Sequence, residues 1–479
     1  MNYRMIGHLL SVVLLIEAAL LGAPMLCAIC YGESVLPFLY TMGILAAIGL
    51  PLFLAKPKNT RIYAKEGFVC VAASWLLLSV FGALPFVFSG TIPSYIDAFF
   101  ETVSGFTTTG ASILSAVEGL PYGILFWRSF THWVGGMGIL VFMLAILPSS
   151  DGRAIHLLRA EVPGPQKGKL VPKLRQTAII LYGIYMFFTL LETVLLCCTG
   201  MPLYDALVNT FATVGTGSFS VKNGSIGAYN NPAAEWIIAI FMIICGTNFN
   251  IFYFILIRQF REVRKNEELR AYLLIVAASV AAIAINTWHM FEGAWDCIRT
   301  AFFQVITVMS TTGFASANYD LFPSFSKTIL VLLMVLGACA GSTAGGLKIS
   351  RVIILVKSAF REIKHMLRPR SVNVLRLDGE PLGDEITRSA LGYLAIYCMI
   401  LVTSVLLISA DGFNFETNVT GVLACFNNVG PGFSVVGPTG NFGYFSAFSK
   451  IVLSIDMLFG RLEIMPMLIL LSPATWKRR

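Results

Sequence analysis

Long apolar runs broken by short polar ones set the plan of this chain. A run of about 20 hydrophobic residues is long enough to cross a bilayer as a helix. Residues 6–29 and 35–55 are the first two such runs. After them one pattern recurs four times: a spanning helix, a short amphipathic segment, a small polar strip with glycine, and a second spanning helix. The outer helices are predicted over 67–89 and 122–147, then 177–199 and 234–257, then 271–290 and 328–346, then 389–409 and 445–471. That makes about ten spanning helices. The corresponding organisation is 1–62 for the two N-terminal helices and 63–170, 171–266, 267–380 and 381–479 for the repeats.

The strips are the least ordinary part of the pattern. The first reads Ser104-Gly105-Phe106-Thr107-Thr108-Thr109-Gly110-Ala111-Ser112. The second is Phe211-Ala212-Thr213-Val214-Gly215-Thr216-Gly217-Ser218-Phe219-Ser220, and the third Met309-Ser310-Thr311-Thr312-Gly313-Phe314-Ala315-Ser316. The fourth is Phe426-Asn427-Asn428-Val429-Gly430-Pro431-Gly432-Phe433-Ser434. One such strip is ordinary turn text, but four in matching surroundings call for a common cause. Extended backbone at membrane depth is tolerated only when buried in protein or lining a watery path. Glycine permits the φ/ψ values that point successive carbonyls to one side. Four strips about one axis would form rings of carbonyl oxygens, which replace the water shell of a cation. The fold class this predicts is an all-α membrane protein: four pseudo-repeated helix–pore loop–helix units around one pore, plus two extra N-terminal transmembrane helices.

Composition agrees. Of 479 residues, 56% are hydrophobic and 13% charged, with a mean hydropathy of +0.77; soluble domains carry about twice that charge fraction. The net charge of +8 matters through its placement, and nucleic acid is not an expected partner. Lys56, Lys58, Arg61 and Lys65 follow the second run. Arg153, Arg159, Lys167, Lys169, Lys173 and Arg175 separate repeats one and two, and Arg258, Arg261, Arg264, Lys265 and Arg270 separate two and three. Lys348, Arg351, Lys357, Arg361, Lys364, Arg368 and Arg370 separate three and four, and Lys477, Arg478 and Arg479 close the chain. Basic loops stay in the cytoplasm, so both termini are expected there. The opposite side is acidic, with Lys222, Arg299, Lys327 and Lys450 as exceptions.

Asp97, Asp205, Asp296 and Glu416 each precede their strip by one short helix. An acid suits a helix N-terminus, whose partial charge is positive. The opposite, partially negative ends would then aim at the strips and favour a cation.

Catalytic and metal chemistry find little support. Cys27 and Cys30 have CxxC spacing but no second pair or histidine to complete a zinc site. His8, His132, His156, His289 and His365 are scattered, and no enzyme motif is present. The segment 163–170 lacks phosphate-loop spacing and reads as a solvated basic loop. No cleavable signal peptide is evident.

Two features lie beneath the strips. Residues 337–348 carry Gly337, Gly341, Gly345, Gly346 and Lys348 and interrupt the second helix of repeat three. Each glycine weakens a helix by about 1 kcal/mol relative to alanine. Such a stretch is either a flexible loop that blocks or opens a path, or a close helix crossing through small residues. Arg461 lies within the last spanning run. It is either a charge in the path that lowers cation occupancy or half of a structural pair, with Glu463 on a neighbouring turn or across a dimer as the candidate partner.

Together these residues resemble the TrkH branch of the Trk/Ktr/HKT superfamily of potassium transporters, over nearly the whole chain. The likeness is carried by 104–112, His132-Trp133-Val134-Gly135-Gly136-Met137-Gly138, 310–314, 341–348, 428–433 and 460–463. The two extra N-terminal helices favour TrkH over the shorter KtrB-like branch. The resemblance implies a potassium selectivity filter of Thr108, Thr109, Gly110, Thr216, Gly217, Thr311, Thr312, Gly313, Asn428, Val429 and Gly430, with glycines 110, 217, 313 and 430 equivalent. It maps the gating loop to 337–348 and the pore arginine to Arg461. It also implies a homodimer in the bacterial inner membrane, lipid around it, and a cytosolic ring of TrkA-type nucleotide-binding subunits. This chain itself needs no cofactor, potassium being the substrate. The second strip departs from the family text through its additional glycine and threonine. In plant relatives a serine at the first filter glycine goes with sodium transport, and here that position is Gly110. The competing class is a potassium symporter coupled to sodium or protons, which would need alternating access.

Overall fold

The computed structural model describes residues 1–55, 57, 59, 63–138, 174–370 and 373–476. The basic residues Lys56, Lys58, Arg61, Arg153, Arg159, Lys167, Lys169, Lys173 and Lys477 to Arg479 lie outside them, as do segments 163–170 and 139–147. The described residues form an all-α membrane-type protein, with one small antiparallel hairpin pairing Arg376–Leu377 with Glu380–Pro381.

Six helical stretches among the described residues are long and apolar enough to cross a bilayer: Tyr3–Cys30, Leu36–Leu54, Lys65–Phe88, Ala178–Cys198, Glu267–Met290 and Asp384–Asp411. They are the two N-terminal helices and the first helix of each repeated stretch. The second helices are shorter: Tyr122–Met137, Pro232–Gly246, Ser324–Val335 and Ala447–Arg461.

Two second helices expected as single spans are in fact broken. Over 234–257 the chain bends by 91° between Pro232–Gly246 and Phe249–Leu256. Thr247 is extended, and the Asn248 side chain caps the new helix by accepting from Asn250 N at 2.9 Å. Over 445–471 the break falls after Arg461, where Glu463 and Ile464 take φ of 57° and 61°. Pro466 stands in the first turn of the following helix, where its missing N–H costs nothing. The basic segment between repeats three and four is largely a helix, Ile349–Leu367.

Between the outer helices lie four short buried ones, Tyr95–Phe106, Leu203–Gly215, Ala294–Met309 and Phe415–Phe426. Asp97, Asp205, Asp296 and Glu416 occupy their first turns. Asp97 and Glu416 also reach Lys450 and Lys327, and Asp205 accepts from the Tyr229 hydroxyl. The acids therefore both suit the helix dipole and tie each short helix to its surroundings.

Small residues bring these helices close to their neighbours. A Cβ on Gly135 would lie 1.8 Å from Phe106 O, and one on Gly215 would lie 2.5 Å from His132 O. Gly135 of the 132–138 motif and Gly215 opposite it thus serve packing, while Gly138 ends its helix with a φ of 76°. One apolar core joins the N-terminal helices to the first and last repeats, and a second joins repeats two and three. The strips lie where the two meet.

Candidate functional site

Each short helix ends and its strip begins with the same backbone. Thr108, Thr216, Thr311 and Asn428 take φ of 57°, 61°, 56° and 55°. The next N–H turns back onto its own helix: Thr109 to Ser104 O (2.9 Å), Gly217 to Ala212 O (2.8 Å), Thr312 to Thr307 O (2.9 Å) and Val429 to Ala424 O (2.8 Å). One residue later come Gly110, Gly313 and Gly430, with φ of 82°, 81° and 99°.

This alignment corrects the second strip. Gly217 matches Thr109, Thr312 and Val429, while Ser218 stands where the other strips have glycine. The sequence offers two glycines, and neither marks the ring position. Gly215 is used for packing against the 132–138 helix, and a Cβ on Gly217 would meet the His132 ring at 2.5 Å. Ser218 has no positive φ, so this quarter does not require glycine there.

Gly110, Ser218, Gly313 and Gly430 line one cavity of about 140 Å³, and Gly217 does not. The strips also touch one another. Ser218 Oγ donates to Gly110 O at 3.1 Å. A Cβ on Gly313 would lie 1.9 Å from Val429 O, and one on Gly430 would lie 2.5 Å from Thr109 O.

Several polar side chains of the strips are buried and hydrogen-bonded to protein, whereas Ser104 Oγ and Thr108 Oγ1 are buried without a partner among the described residues. Thr109 Oγ1 meets Thr107 Oγ1 at 2.8 Å and accepts from Asn428 Nδ2 at 2.9 Å. The same Asn428 amide donates to Met457 O at 3.0 Å. Thr312 Oγ1 meets Ser310 Oγ at 2.7 Å, and Thr216 Oγ1 donates to Gly215 O at 2.6 Å. These bonds tie the strips to the protein around them.

Three residues that brace the strips were given no such role in the sequence reading. His132 Nδ1 bonds Gly105 O at 2.7 Å, its Nε2 accepts from Phe219 N at 3.3 Å, and its ring stacks on Phe219. That pattern places the ring proton on Nδ1. Glu101 and Arg128 form a buried ion pair at 2.6 Å. Glu101 also accepts from Ser112 Oγ and Ile113 N, each at 2.9 Å, and Arg128 reaches Ser220 O at 3.3 Å. An arginine and a glutamate inside apolar helical text were the available signal.

Below the strips, residues 337–348 form a loop and not a helix crossing. It fills the notch of the bent helix: Cys339 N donates to Gly246 O at 3.0 Å, and Phe249 N to Gly341 O at 3.0 Å. Glu268 clamps both ends, accepting from Ala340 N at 2.7 Å and Ser350 N at 2.9 Å. Lys348 Nζ folds back onto the Ala344 and Gly345 carbonyls. Gly341 and Gly346 each take φ of 71°, and Gly337 packs against Gly346. Gly345 N donates to Thr311 Oγ1 at 2.8 Å, which joins the loop directly to the third strip.

Arg461 spans the gap between this loop and the first repeat. It donates to Thr343 O in the loop and to Gly135 O and Gly136 O (2.8 Å for the last). The helix C-terminus at Met137 is a favourable place for a cation. Within the chain, Arg461 and Glu463 do not pair. Glu463 instead pairs with Arg351, whose guanidinium lies 4.1 Å from the centre of the Tyr393 ring, because the break after Arg461 turns the two side chains apart.

Glu17, Glu192 and Asp456 are buried in membrane-spanning helices, and Asp456 accepts from Ser404 Oγ at 2.7 Å. None of them lines the cavity at the strips.

The described residues thus form a helical membrane-type protein in which residues of four buried strips line one polar cavity. A family model described as TrkH, cation transport protein, matches residues 38–478, and the chain belongs to that family. It is 35% identical over 484 residues to the Trk system potassium uptake protein TrkH of Escherichia coli, and 34% identical to that of Salmonella typhimurium, covering all of both chains in each case. Its structure matches the crystal structure of the potassium transporter TrkH from Vibrio parahaemolyticus with a TM-score of 0.90, at 30% identity and full coverage of both chains.

Proposed function

We propose that this chain takes potassium into the cell through a channel-like path whose selectivity filter is the ring of four strips. The filter residues are Thr108, Thr109 and Gly110; Thr216, Gly217 and Ser218; Thr311, Thr312 and Gly313; and Asn428, Val429 and Gly430. Each strip offers backbone oxygens in exchange for the water shell of the ion. The single observation that carries this reading is the convergence of Gly110, Ser218, Gly313 and Gly430 on one cavity. The named relatives, which are potassium uptake proteins, support the choice of ion.

The loop with Gly337, Gly341, Gly345, Gly346 and Lys348 is the gate, and Arg461 is the latch that holds it. Basic clusters between the repeats support a topology with both termini in the cytoplasm of a bacterial inner membrane. The assembly is a lipid-embedded homodimer with a TrkA-type nucleotide-binding ring on its inner face. Among the described residues no carboxylate lines the cavity, which favours a pore over a sodium- or proton-coupled symporter.

Purified protein in liposomes tests this reading. Rubidium influx should exceed sodium influx, and the reversal potential should ignore an imposed sodium or proton gradient; a shift with either gradient supports the symporter. Arg461→Ala should raise rubidium flux severalfold without the ring subunit, because the loop loses its tie to Gly135 and Gly136.

A further inference from the structure

Four basic residues stand on the side of the protein where acids predominate. Three of them are neutralised. Arg299 pairs with Glu235 and Asp296, each at 3.0 Å, Lys327 with Glu416 at 3.7 Å and Lys450 with Asp97 at 2.6 Å. Lys222 makes no ion pair with any described residue. It lines the cavity at the mouth of the strips and, on its other flank, a cavity of about 580 Å³ that also contains Glu33, Glu118 and Asp205.

The backbone around Lys222 is fixed. Its N–H donates to Ser220 Oγ at 3.4 Å and its carbonyl accepts from Ser225 N at 3.0 Å. The next residue is tied to the first repeat, because Asn223 N donates to Glu118 Oε1 at 3.2 Å and Asn223 Oδ1 accepts from Val117 N at 2.8 Å. The side chain is tethered at the mouth whatever rotamer it takes. The other cation on the cavity lining, Arg128, is cancelled by its buried pair with Glu101. Among the described residues, no Asp or Glu lines this cavity. Lys222 is therefore the one cation on this lining without an ion-pair partner among the described residues, with Glu33, Glu118 and Asp205 on its other flank.

We propose that Lys222 is a specificity-determining charge that disfavours divalent cations at the outer mouth before any ion reaches the strips. The proposal rests on the potassium-path reading above. The energy of an ion in a fixed field scales with its charge, so a divalent cation is depleted by the square of the factor that depletes a monovalent one. A unit charge about 8 Å away in a water-filled mouth gives a factor of about two to three for a monovalent ion and about four to nine for a divalent one. The effect is screened over a Debye length of about 10 Å at 0.1 M salt.

The test uses the full chain in liposomes, with rubidium influx as the readout and barium added on the side bearing Lys222. Lys222→Gln should raise influx at sub-saturating rubidium about two- to threefold and lower the half-inhibitory barium concentration about four- to ninefold. Lys222→Glu should move both further in the same direction, Lys222→Arg should keep wild-type values, and an impermeant salt should shrink all the differences. Wild-type barium sensitivity in both Lys222→Gln and Lys222→Glu overturns the proposal. So does a Lys222→Arg variant that shifts as far as Lys222→Gln, since that assigns the effect to packing and not to charge. A wild-type protein with no rubidium influx overturns the underlying potassium reading instead, a result readily told apart from the other two.

Discussion

Strip two and its three counterparts share a backbone and differ in sequence. All four leave a short helix, pass through one residue with φ near 55–61°, and bond the next N–H back to that helix. Three then place a glycine with φ between 81° and 99° at the cavity, whereas strip two places Ser218 there. Equivalence therefore resides in hydrogen-bond register and not in the position of a glycine letter. The difference also separates two uses of glycine. At 110, 313 and 430 it answers a backbone demand, and at 215 and 217 it makes room for the helix that carries His132.

The sharpest way to break this comparison is Gly313→Ala. The new Cβ would sit 1.9 Å from Val429 O, a backbone atom that cannot swing aside, on a residue whose φ of 81° already disfavours a side chain. Rubidium influx should fall by at least about tenfold, with a lower melting temperature in detergent. Near-normal influx would mean that the third strip does not need its left-handed residue.

Gly110→Ser comes next. Its side chain would collide with Ser218 Oγ at 2.0 Å and Ser218 N at 2.6 Å. The contact pushes strips one and two apart, so the preference for rubidium over sodium should drop severalfold while some influx persists. Unchanged relative permeability would count against a selective ring at these positions.

The repeated plan, the four short helices with their leading acids and the interrupted helix at 337–348 were all legible in the sequence. They rest on local signals: apolar run length, the position of an acid and the density of glycine. What was hidden depends on contacts between distant segments. The register of strip two is set by packing of Gly215 and Gly217 against His132, about 80 residues earlier in the chain. The partner of Arg461 could not be read from its own helix, because the chain reverses hand at Glu463 and Ile464 and hands Glu463 to Arg351. No local signal singles out Glu268, yet it accepts from Ala340 N and Ser350 N at both ends of the 337–348 loop. The bend at Thr247 and Asn248 was masked by apolar residues on both sides.

The smallest expected effect gives the finest test, because it places the same residue, alanine, in the odd quarter. Ser218 already carries a Cβ and has no positive φ, so Ser218→Ala demands no backbone change. The loss is the hydroxyl bond to Gly110 O at 3.1 Å. A bond of that kind contributes about 0.5–1.5 kcal/mol net, so the melting temperature should fall by only about one degree and rubidium influx should stay within about twofold of wild type. Alanine at 218 would then be tolerated where alanine at 313 is not, although both positions line one cavity. If Ser218→Ala instead lost transport as completely as Gly313→Ala, the serine would be serving the path through its hydroxyl, and the freedom from glycine at this quarter would not be a matter of backbone alone.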